Sequence, residues 1–164
     1  MNVDALIDGW QAAWSAHEPA EFEDVCASGI SYEDPLTEHL LTEHLLQGID
    51  ALAAHAQRLW DGFPDARLER TGERLTGGNF VAAPCKMMGT HRAALAGLPA
   101  TNRFVVVHCI FYCEVQHERL LRVRGFYDVY DAATQLGVLP ARGTLGEKAM
   151  MMLRGFGLRT GRGG

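Results

Sequence analysis

In the segment 119–130, charged or aromatic residues occupy every second position from Arg122 to Asp128, a pattern that predicts a β-strand. The residues expected on one face of that strand are Arg122, Arg124, Phe126 and Asp128. A carboxylate in an apolar cavity has a raised pKa and can move a proton to and from carbon, which makes Asp128 a candidate acid/base. Arg124 would then either stabilise enolate charge or pair with Asp128. The structural alternative for Asp128 is a carboxylate that caps the segment after the strand.

Histidines supply further candidates, and each also has a structural interpretation. His91 ends the GTH element, where it could donate a hydrogen bond to a substrate carbonyl or join a local turn network with Thr90. In the predicted strand 103–116, His108 and Tyr112 share one face. The pattern leaves open whether that face lines a substrate pocket, because a core or sheet-surface role is an equal alternative.

Large apolar side chains are candidates for shaping a substrate cavity. The candidates are Trp14, Tyr32, Trp60, Met87 and Phe126. Aromatic and methionine residues at helical or strand spacing also serve as core filler. Tyr32 belongs to the sequence Tyr-Glu-Asp-Pro, in which Asp34 either contributes to the site or forms an ordinary Asp-Pro turn.

Metal-ligating and phosphate-binding patterns do not occur at the required spacing. His39 and His44 are five residues apart, which does not place them on one helix face and does not fit HxxEH. Cys85 follows a proline but lacks the second cysteine of the deaminase pattern PCxxC. Neither a P-loop nor a GxGxxG after a strand is present. We therefore expect no metal and no cofactor.

Hydrophobic periodicity divides the chain into a helical first part and a strand-rich second part. Helices are predicted over 3–14, 18–27, 49–60 and 146–158, and strands over 30–33, 65–75, 79–91, 103–116 and 119–130. The sequence Leu-Thr-Glu-His-Leu is repeated directly at 36–45. Helices followed by a strand meander indicate an α+β domain. A curved sheet covered by helices on one side would leave a pocket between the layers.

The block 89–103 has the form GTHxxxLxGLPATxR, and residues 135–140 have the form QLGxLP. These motifs resemble the SnoaL-like polyketide cyclases of the nuclear transport factor 2-like superfamily. The resemblance implies a cystatin-like α+β roll, in which N-terminal helices wrap a cone-shaped, curved antiparallel sheet. It assigns 1–140 to a single domain and leaves 141–164 as an extension, a predicted helix with a frayed end. Asn102 replaces a glycine common in the family, and asparagine also tolerates left-handed geometry.

The resemblance also implies a function. It matches Asp128 to the family's acid/base aspartate, which deprotonates a carbon between carbonyls so that the enolate attacks a distant carbonyl. It places Tyr32 and Asp34 at a cavity mouth. We therefore expect a cofactor-free cyclase or isomerase of a carbonyl-rich, polyketide-like, hydrophobic small molecule. Two alternatives stay open: a non-catalytic small-molecule binding protein, and an interaction module that forms a homodimer.

Composition narrows the partners and the compartment. A net charge of -5 and a pI near 5.8 provide no field that attracts phosphates, which argues against nucleic acid as a partner. No apolar run approaches the roughly 20 residues that cross a bilayer, and the start lacks the layout of a secretory signal. The cysteines at 26, 85, 109 and 113 lack CxxC spacing, which favours a reducing compartment. A cytoplasmic protein without membrane contact is the expectation.

Overall fold

The computed structural model describes residues 3–39 and 45–153, in which helices dominate the first half and strands the second. The helices are α1 (Val3–Ala16), α2 (Glu21–Val25), α3 (Pro35–His39), α4 (Ile49–Gly62), α5 (Val129–Gln135) and α6 (Leu145–Leu153). The strands are β1 (Cys26–Glu33), β2 (Leu46–Gln47), β3 (Arg67–Arg70), β4 (Leu75–Gly77), β5 (Phe80–Thr90), β6 (Phe104–Gln116) and β7 (Arg119–Tyr127). The predicted helices at 3–14 and 49–60 correspond to α1 and α4, whereas the predicted strand at 65–75 is divided into β3 and β4.

The strands form one curved sheet in the order β2-β1-β7-β6-β5-β3, and β4 pairs with the start of β5. Neighbouring strands are antiparallel except β1 and β7, which are parallel. A parallel pair requires a crossover connection, and here most of the chain lies between the two strands. The α+β class and the curved sheet with N-terminal helices are confirmed, and the fully antiparallel sheet is corrected for this one pair.

The long strand β6 separates the interior from the exterior. Val107 and Phe111 are buried on its inner face, whereas His108, Ile110 and Tyr112 are exposed on its outer face. This alternation follows the period of two that a half-buried strand requires. The inner face is covered by helices, so an apolar interior forms between the two layers.

An aromatic cluster holds the helices on the sheet. The ring centroid of Trp10 on α1 lies 5.8 Å from that of Trp14 and 5.7 Å from that of Phe111 on β6. Trp60 on α4 donates a hydrogen bond of 3.0 Å from its indole nitrogen to the Trp14 carbonyl. Edge-to-face aromatic pairs add to the free energy of burial, so these contacts fix α1 and α4 relative to the sheet.

The crossover between β5 and β6 contacts the segment after β7. Asn102 has a φ of +56°, the left-handed geometry expected at that position. The Arg103 guanidinium lies against Gly137, where a Cβ atom would be 2.8 Å from the guanidinium carbon. The Gln135 amide donates to the Val106 carbonyl at 2.8 Å and accepts from the Val106 amide at 2.9 Å. The two sequence motifs therefore hold each other in place.

Strand β7 ends earlier than the alternation predicts. It stops at Tyr127, and Asp128 begins α5, a helix that the sequence patterns did not indicate. The Asp128 carboxylate accepts a hydrogen bond of 3.0 Å from the Asp131 amide, which caps the new helix. The capping hydrogen bond of Asp128 thus ends the strand and begins the helix.

The structure also bears on the repeated segment, the C-terminal helix, the cysteines and membrane crossing. The first copy of the repeat lies in α3 as far as His39, and residues 40–44 lie outside the described residues. Helix α6 coincides with the first part of the predicted C-terminal helix, and positions after 153 are likewise outside them. The four cysteines are free and buried. Within 3–39 and 45–153, no helix is long and apolar enough to cross a membrane.

Candidate active site

An apolar cavity lies between the inner face of the sheet, α4, α5 and the crossover, and it encloses about 110 Å³. Its wall includes Leu36, Leu59, Met87, Val107 and Leu136, and the other lining residues are also hydrophobic or glycine. Among the described residues that line the cavity, Tyr127 alone carries a side-chain hydrogen-bond donor. Tyr127 contributes its ring at the end of β7, and its hydroxyl is buried behind that point of the wall, so the exposed surface of the cavity is apolar.

A buried polar cluster lies behind that point, centred on the carboxylate of Asp34. Asp34 Oδ2 accepts hydrogen bonds from the Tyr32 hydroxyl at 2.8 Å and from His55 Nε2 at 2.9 Å. Asp34 Oδ1 accepts from the amides of Leu36 and Thr37, each at 2.8 Å, and so caps α3. Each carboxylate oxygen thus has two donors, which allows a charged group to be buried.

The cluster depends on a close approach between the end of β1 and β7. Gly125 lies on the inner face of β7, where a Cβ atom would be 3.3 Å from the Asp34 Cβ and 3.3 Å from the Phe111 ring. The absence of a side chain at Gly125 lets Asp34 come close to the strand. Helix α4 supplies His55 from the other side, so three separate elements complete the cluster.

The hydrogen bonds decide the protonation state of Asp34. Burial acts to raise the pKa of this carboxyl, because it disfavours the charged form. The hydrogen bond and attraction from His55, with donors from Thr37 and Tyr32, outweigh burial and hold the pKa below its ordinary value. Burial and the Asp34 charge raise the pKa of Tyr32 well above its usual range. The cluster therefore contains an ionised carboxylate and a neutral phenol at neutral pH.

Tyr127 connects this cluster with the cavity. Its hydroxyl is buried and lies near the Asp34 carboxylate and the Leu36 amide, yet it forms no hydrogen bond of good geometry with the described residues. Burial, followed by the negative charge of Asp34, raises the pKa of Tyr127 well above its usual range. The hydroxyl therefore belongs to the buried cluster around Asp34, and the ring is the part of Tyr127 that faces the cavity.

Asp128 does not lie in the apolar cavity, so the expected placement of this carboxylate is wrong. Its side chain is 52% exposed, caps α5 and pairs with Arg142 at 3.5 Å. Tyr127 occupies the inward position, and Asp128 faces an outer depression that also includes His108 and Tyr130. The capping alternative is the one that the structure displays. A catalytic role for Asp128 stays a prediction.

The Arg124 side chain lies away from the apolar cavity and pairs with Glu33. Its Nε lies 3.1 Å from the Glu33 carboxylate, and its guanidinium carbon lies 5.3 Å from the centre of the Phe126 ring. Both Arg124 and Phe126 are exposed on the outer face of the sheet. The shared strand face was predicted correctly for these two residues, but it faces away from the cavity.

His91 is fully buried in the crossover and does not line the cavity. Its Nδ1 accepts a hydrogen bond of 3.2 Å from the Thr101 amide, and its ring centroid lies 5.1 Å from that of Phe63. Burial lowers the pKa of His91, against the opposing effect of the Ala93 carbonyl. His91 thus joins a local turn network, but its partner is Thr101 and not the expected Thr90, which bonds to Asp65.

The remaining candidates divide between the cavity, the core and the outer surface. Met87 lines the cavity. Trp14 and Trp60 are buried in the aromatic cluster. His108 and Tyr112 point to the exterior of β6, which resolves their register in favour of a sheet-surface position. Tyr32 and Asp34 are brought together in the buried cluster behind the cavity.

Sequence reasoning missed His55 and Tyr127. His55 lies on the apolar stripe of α4 between Leu52 and Leu59, and a titratable residue on a buried helix face was the available signal. Tyr127 alternates inward after Val123 on β7, so its orientation follows from the period of the strand. The sequence could not identify Asp34 as its neighbour in the site, because that proximity depends on the pairing of β1 with β7.

Several solved structures of Streptomyces proteins have the same architecture. TsrD of Streptomyces laurentii has a TM-score of 0.71 at 20% identity, over 84% of this chain and 96% of TsrD. IdmH of Streptomyces antibioticus, described as a candidate polyketide cyclase, has a TM-score of 0.71 at 21% identity, over 84% and 100%. AclR of Streptomyces galilaeus has a TM-score of 0.70 at 17% identity, over 93% and 92%. At these identities the likeness shows a shared fold.

The curved sheet, the covering helices and the enclosed cavity define a protein of the nuclear transport factor 2-like class. The family model of the SnoaL-like polyketide cyclases matches residues 5–136, so the chain belongs to that family. A search of curated proteins found no match.

Proposed function

We propose that this protein is a cofactor-free cyclase or isomerase that binds a carbonyl-rich, polyketide-like small molecule in the apolar cavity. The observation that carries the proposal is the position of Tyr127, whose ring lines the apolar cavity and whose buried hydroxyl lies behind the wall next to Asp34, from where it would turn toward a ligand. Membership of the SnoaL-like family supports the class of reaction. The substrate and the catalytic groups are part of the proposal.

In this proposal Tyr127 donates a hydrogen bond to a ligand carbonyl oxygen. A buried donor without a partner costs about 1–3 kcal/mol, so a ligand with a suitably placed acceptor recovers that free energy. The hydrogen bond polarises the carbonyl and stabilises the negative oxygen that develops when the adjacent carbon loses a proton. The apolar wall excludes water and strengthens this interaction.

Asp34 and His55 are positioning residues in this arrangement. Asp34 is 2% exposed and its two oxygens already accept four hydrogen bonds, so its charge acts on Tyr127 rather than directly on the ligand. Tyr127 acts as a hydrogen-bond donor, so Asp128 is the candidate for the acid/base that the family resemblance implies. Its neighbours Tyr127 and Val129 both line the cavity, and a shift of α5 would have to turn its carboxylate inward.

The volume of the cavity limits what can bind without movement. Ligand pockets for drug-sized molecules measure roughly 300–1,000 Å³, whereas this cavity encloses about 110 Å³. A ligand with a single substituted ring is of the size that this cavity holds without movement of the protein. A larger polyketide requires displacement of Leu95 in the crossover or of α5, both of which cover the cavity.

The first experiment measures binding with two matched probes, acetophenone and ethylbenzene, which differ by the carbonyl oxygen. We expect the wild type to bind acetophenone about 5- to 30-fold more tightly. Tyr127→Phe should remove this preference and retain the affinity for ethylbenzene. Tyr112→Phe, on the outer face, is the control and should behave as wild type. Equal affinities in the wild type would overturn the role of Tyr127.

The second experiment tests for catalysis. We expect the wild type to accelerate exchange of the α-hydrogens of benzoylacetone for deuterium, followed by NMR, and Tyr127→Phe to be about 100-fold slower or less active still. If binding depends on Tyr127 but exchange equals that in buffer, the protein is the non-catalytic binding protein of the alternative hypothesis.

We also propose a homodimer through the outer face of the sheet. The rings of Phe80 and Tyr112 stack there at 5.4 Å, and Ile110 and Phe126 are 46% and 48% exposed. Contiguous exposed apolar side chains mark interaction surfaces. Ile110→Asp should convert a dimer to a monomer in light scattering, whereas Leu75→Asp, which changes an exposed residue of β4, should not. A monomeric wild type at micromolar concentration would contradict the dimer.

A further inference from the structure

Cys85 on β5 and Cys109 on β6 are direct partners in the antiparallel ladder, and both side chains are buried on the inner face. Opposite residues of such a pair have Cα atoms about 4.5–5.5 Å apart. A disulfide requires Cα atoms about 4.4–6.8 Å apart. The two side chains face each other across the strand pair on the inner face of the sheet. The two thiols are therefore in register for a disulfide.

Polar groups from outside the sheet surround Cys85. Gln11 on α1 donates a hydrogen bond of 3.0 Å from its amide nitrogen to Cys85 Sγ. The Arg74 side chain is 3% exposed, and its positive charge acts on Cys85 although it also pairs with Asp4 and Asp8. The hydrogen bond from Cys109, opposed by burial and assisted by Gln11 and Arg74, lowers the pKa of Cys85. The Gln11 and Arg74 contacts favour the thiolate, the nucleophilic form of cysteine, whereas the hydrogen bond of 3.3 Å that the Cys85 thiol donates to the Ala83 carbonyl favours the protonated form.

The other two cysteines lack this arrangement and serve as internal comparisons. Cys113 on β6 faces Val81 across the ladder, and burial raises its pKa. Burial raises the pKa of Cys26 to about 12, although Arg119 acts in the opposite direction. Buried cysteines without a thiolate-stabilising environment are inert.

The position of the pair links it to the cavity wall. A depression of about 300 Å³ on the outer face of the sheet borders the two strands at Cys85 and Cys109, but both thiols are buried on the inner face, so a small oxidant has to pass the strand pair to reach them. The next inward-facing pair of the same two strands is Met87 and Val107, which both line the apolar cavity. A bond between the cysteines would link the strands one step from the cavity wall.

We propose that Cys85 and Cys109 form an oxidation site, at which a peroxide converts the two thiols of the folded protein to a disulfide. Cys85 is the attacking residue, because it receives the hydrogen bonds, and Cys109 is the resolving residue, because it faces Cys85 in the ladder. Cys109 is also the ladder partner of Tyr127 on β7, so the oxidation site adjoins the candidate active site, but its existence does not depend on the proposed reaction.

The chemistry balances with one peroxide per disulfide. The Cys85 thiolate attacks one peroxide oxygen, the O–O bond breaks, and the products are a Cys85 sulfenic acid and an alcohol or water. The Cys109 sulfur then attacks the Cys85 sulfur, the S–O bond breaks, and the hydroxide leaves as water with the thiol proton. Two electrons pass from the sulfur atoms to the peroxide oxygens.

The test treats the reduced, folded full-length protein with hydrogen peroxide and then blocks remaining thiols before tryptic digestion without reductant. Trypsin releases Cys85 in the peptide 75–86 and both Cys109 and Cys113 in the peptide 104–119. We expect these two peptides to be joined, with the mass of the protein reduced by two hydrogen atoms. The Cys113→Ser variant should still give the joined peptides, and the Cys109→Ser variant should not.

Further arms distinguish the proposed site from unspecific oxidation. In Cys109→Ser we expect dimedone to trap a sulfenic acid in the peptide 75–86, because the resolving thiol is absent. A joined species that persists in Cys109→Ser, or joined peptides that appear only when the wild type is unfolded in urea, would overturn the proposal. Both arms measure only the masses of peptides. A failure of the acetophenone or exchange experiments therefore does not change how the peptide masses are interpreted.

Discussion

His55 Nε2 and the Asp34 carboxylate lie 2.9 Å apart, and their side chains are 3% and 1% exposed. The pair connects α4 to the end of β1, two elements that the sheet alone does not hold together. Asp34 also caps α3 and receives the Tyr32 hydroxyl, so one carboxylate organises the wall behind Tyr127. This relationship links the stability of the fold to the candidate site.

Asp34→Ala should lower the free energy of unfolding by about 3–5 kcal/mol, because it leaves His55 and Tyr32 without their buried acceptor. The measurement is urea denaturation followed by circular dichroism. Arg142→Gln, which removes the exposed partner of Asp128, is the control and should change the free energy of unfolding by about 1 kcal/mol or less. Similar losses in the two variants would mean that the buried pair has no special role.

The same carboxyl should contribute to acid unfolding. Its pKa is lowered in the folded protein, so its contribution is complete above the unfolded value near 3.9 and is lost as the pH falls through the folded value. The wild type should therefore lose stability on acidification below about pH 4, and Asp34→Asn should lose less over that range. The comparison requires urea midpoints for both proteins across the acid range. An identical acid dependence would contradict the assignment.

His91 should make the protein less stable at mildly acidic pH. The unfolded chain protonates this histidine near pH 6.5, whereas burial keeps the folded one neutral to lower pH. The free energy of unfolding should fall as the pH drops from about 6.5 through the folded pKa, below which His91 adds no further change. His91→Gln should show a smaller decrease between about pH 7.5 and about pH 5.5. An equal decrease in the two proteins would contradict the prediction.

Gly137→Ala should destabilise the contact between the crossover and α5. Gly137 has a φ of +78°, and an added Cβ would lie 2.8 Å from the Arg103 guanidinium carbon. We expect a loss of about 1–3 kcal/mol in the free energy of unfolding. Gly77→Ala is the matched control, because an added Cβ there meets nothing within 4 Å, and it should change stability by about 0.5 kcal/mol or less.

Asp128→Asn tests whether Asp128 is the acid/base, separately from the role of Tyr127 as a hydrogen-bond donor. Asparagine also caps helices well, so α5 should persist in this variant. Because the Asp128 side chain is 52% exposed and lies outside the cavity, we expect benzoylacetone exchange within about threefold of wild type. Loss of exchange in Asp128→Asn with full exchange in Tyr127→Phe would return the acid/base role to Asp128.

The sequence by itself determined the order of the long helices and strands, the α+β class and the family, but not the short elements α3, β2 and α5. These properties depend on local periodicity and on motifs of fixed spacing, such as the block 89–103 and residues 135–140, which are written along one stretch of chain. The left-handed residue at Asn102 was predicted for the same reason. The alternation of Arg124 and Phe126 was also correct, because a strand has a fixed period.

Tertiary structure alone decided which face of each strand lies inside and which residues form the site. Tyr32, Asp34, His55 and Tyr127 come from β1, its end, α4 and β7, and a parallel β1–β7 pair with Gly125 brings them together. A period of two identifies two faces but does not say which one the helices cover. For that reason Asp128 was expected inside, and the adjacent Tyr127 is the residue that lines the cavity.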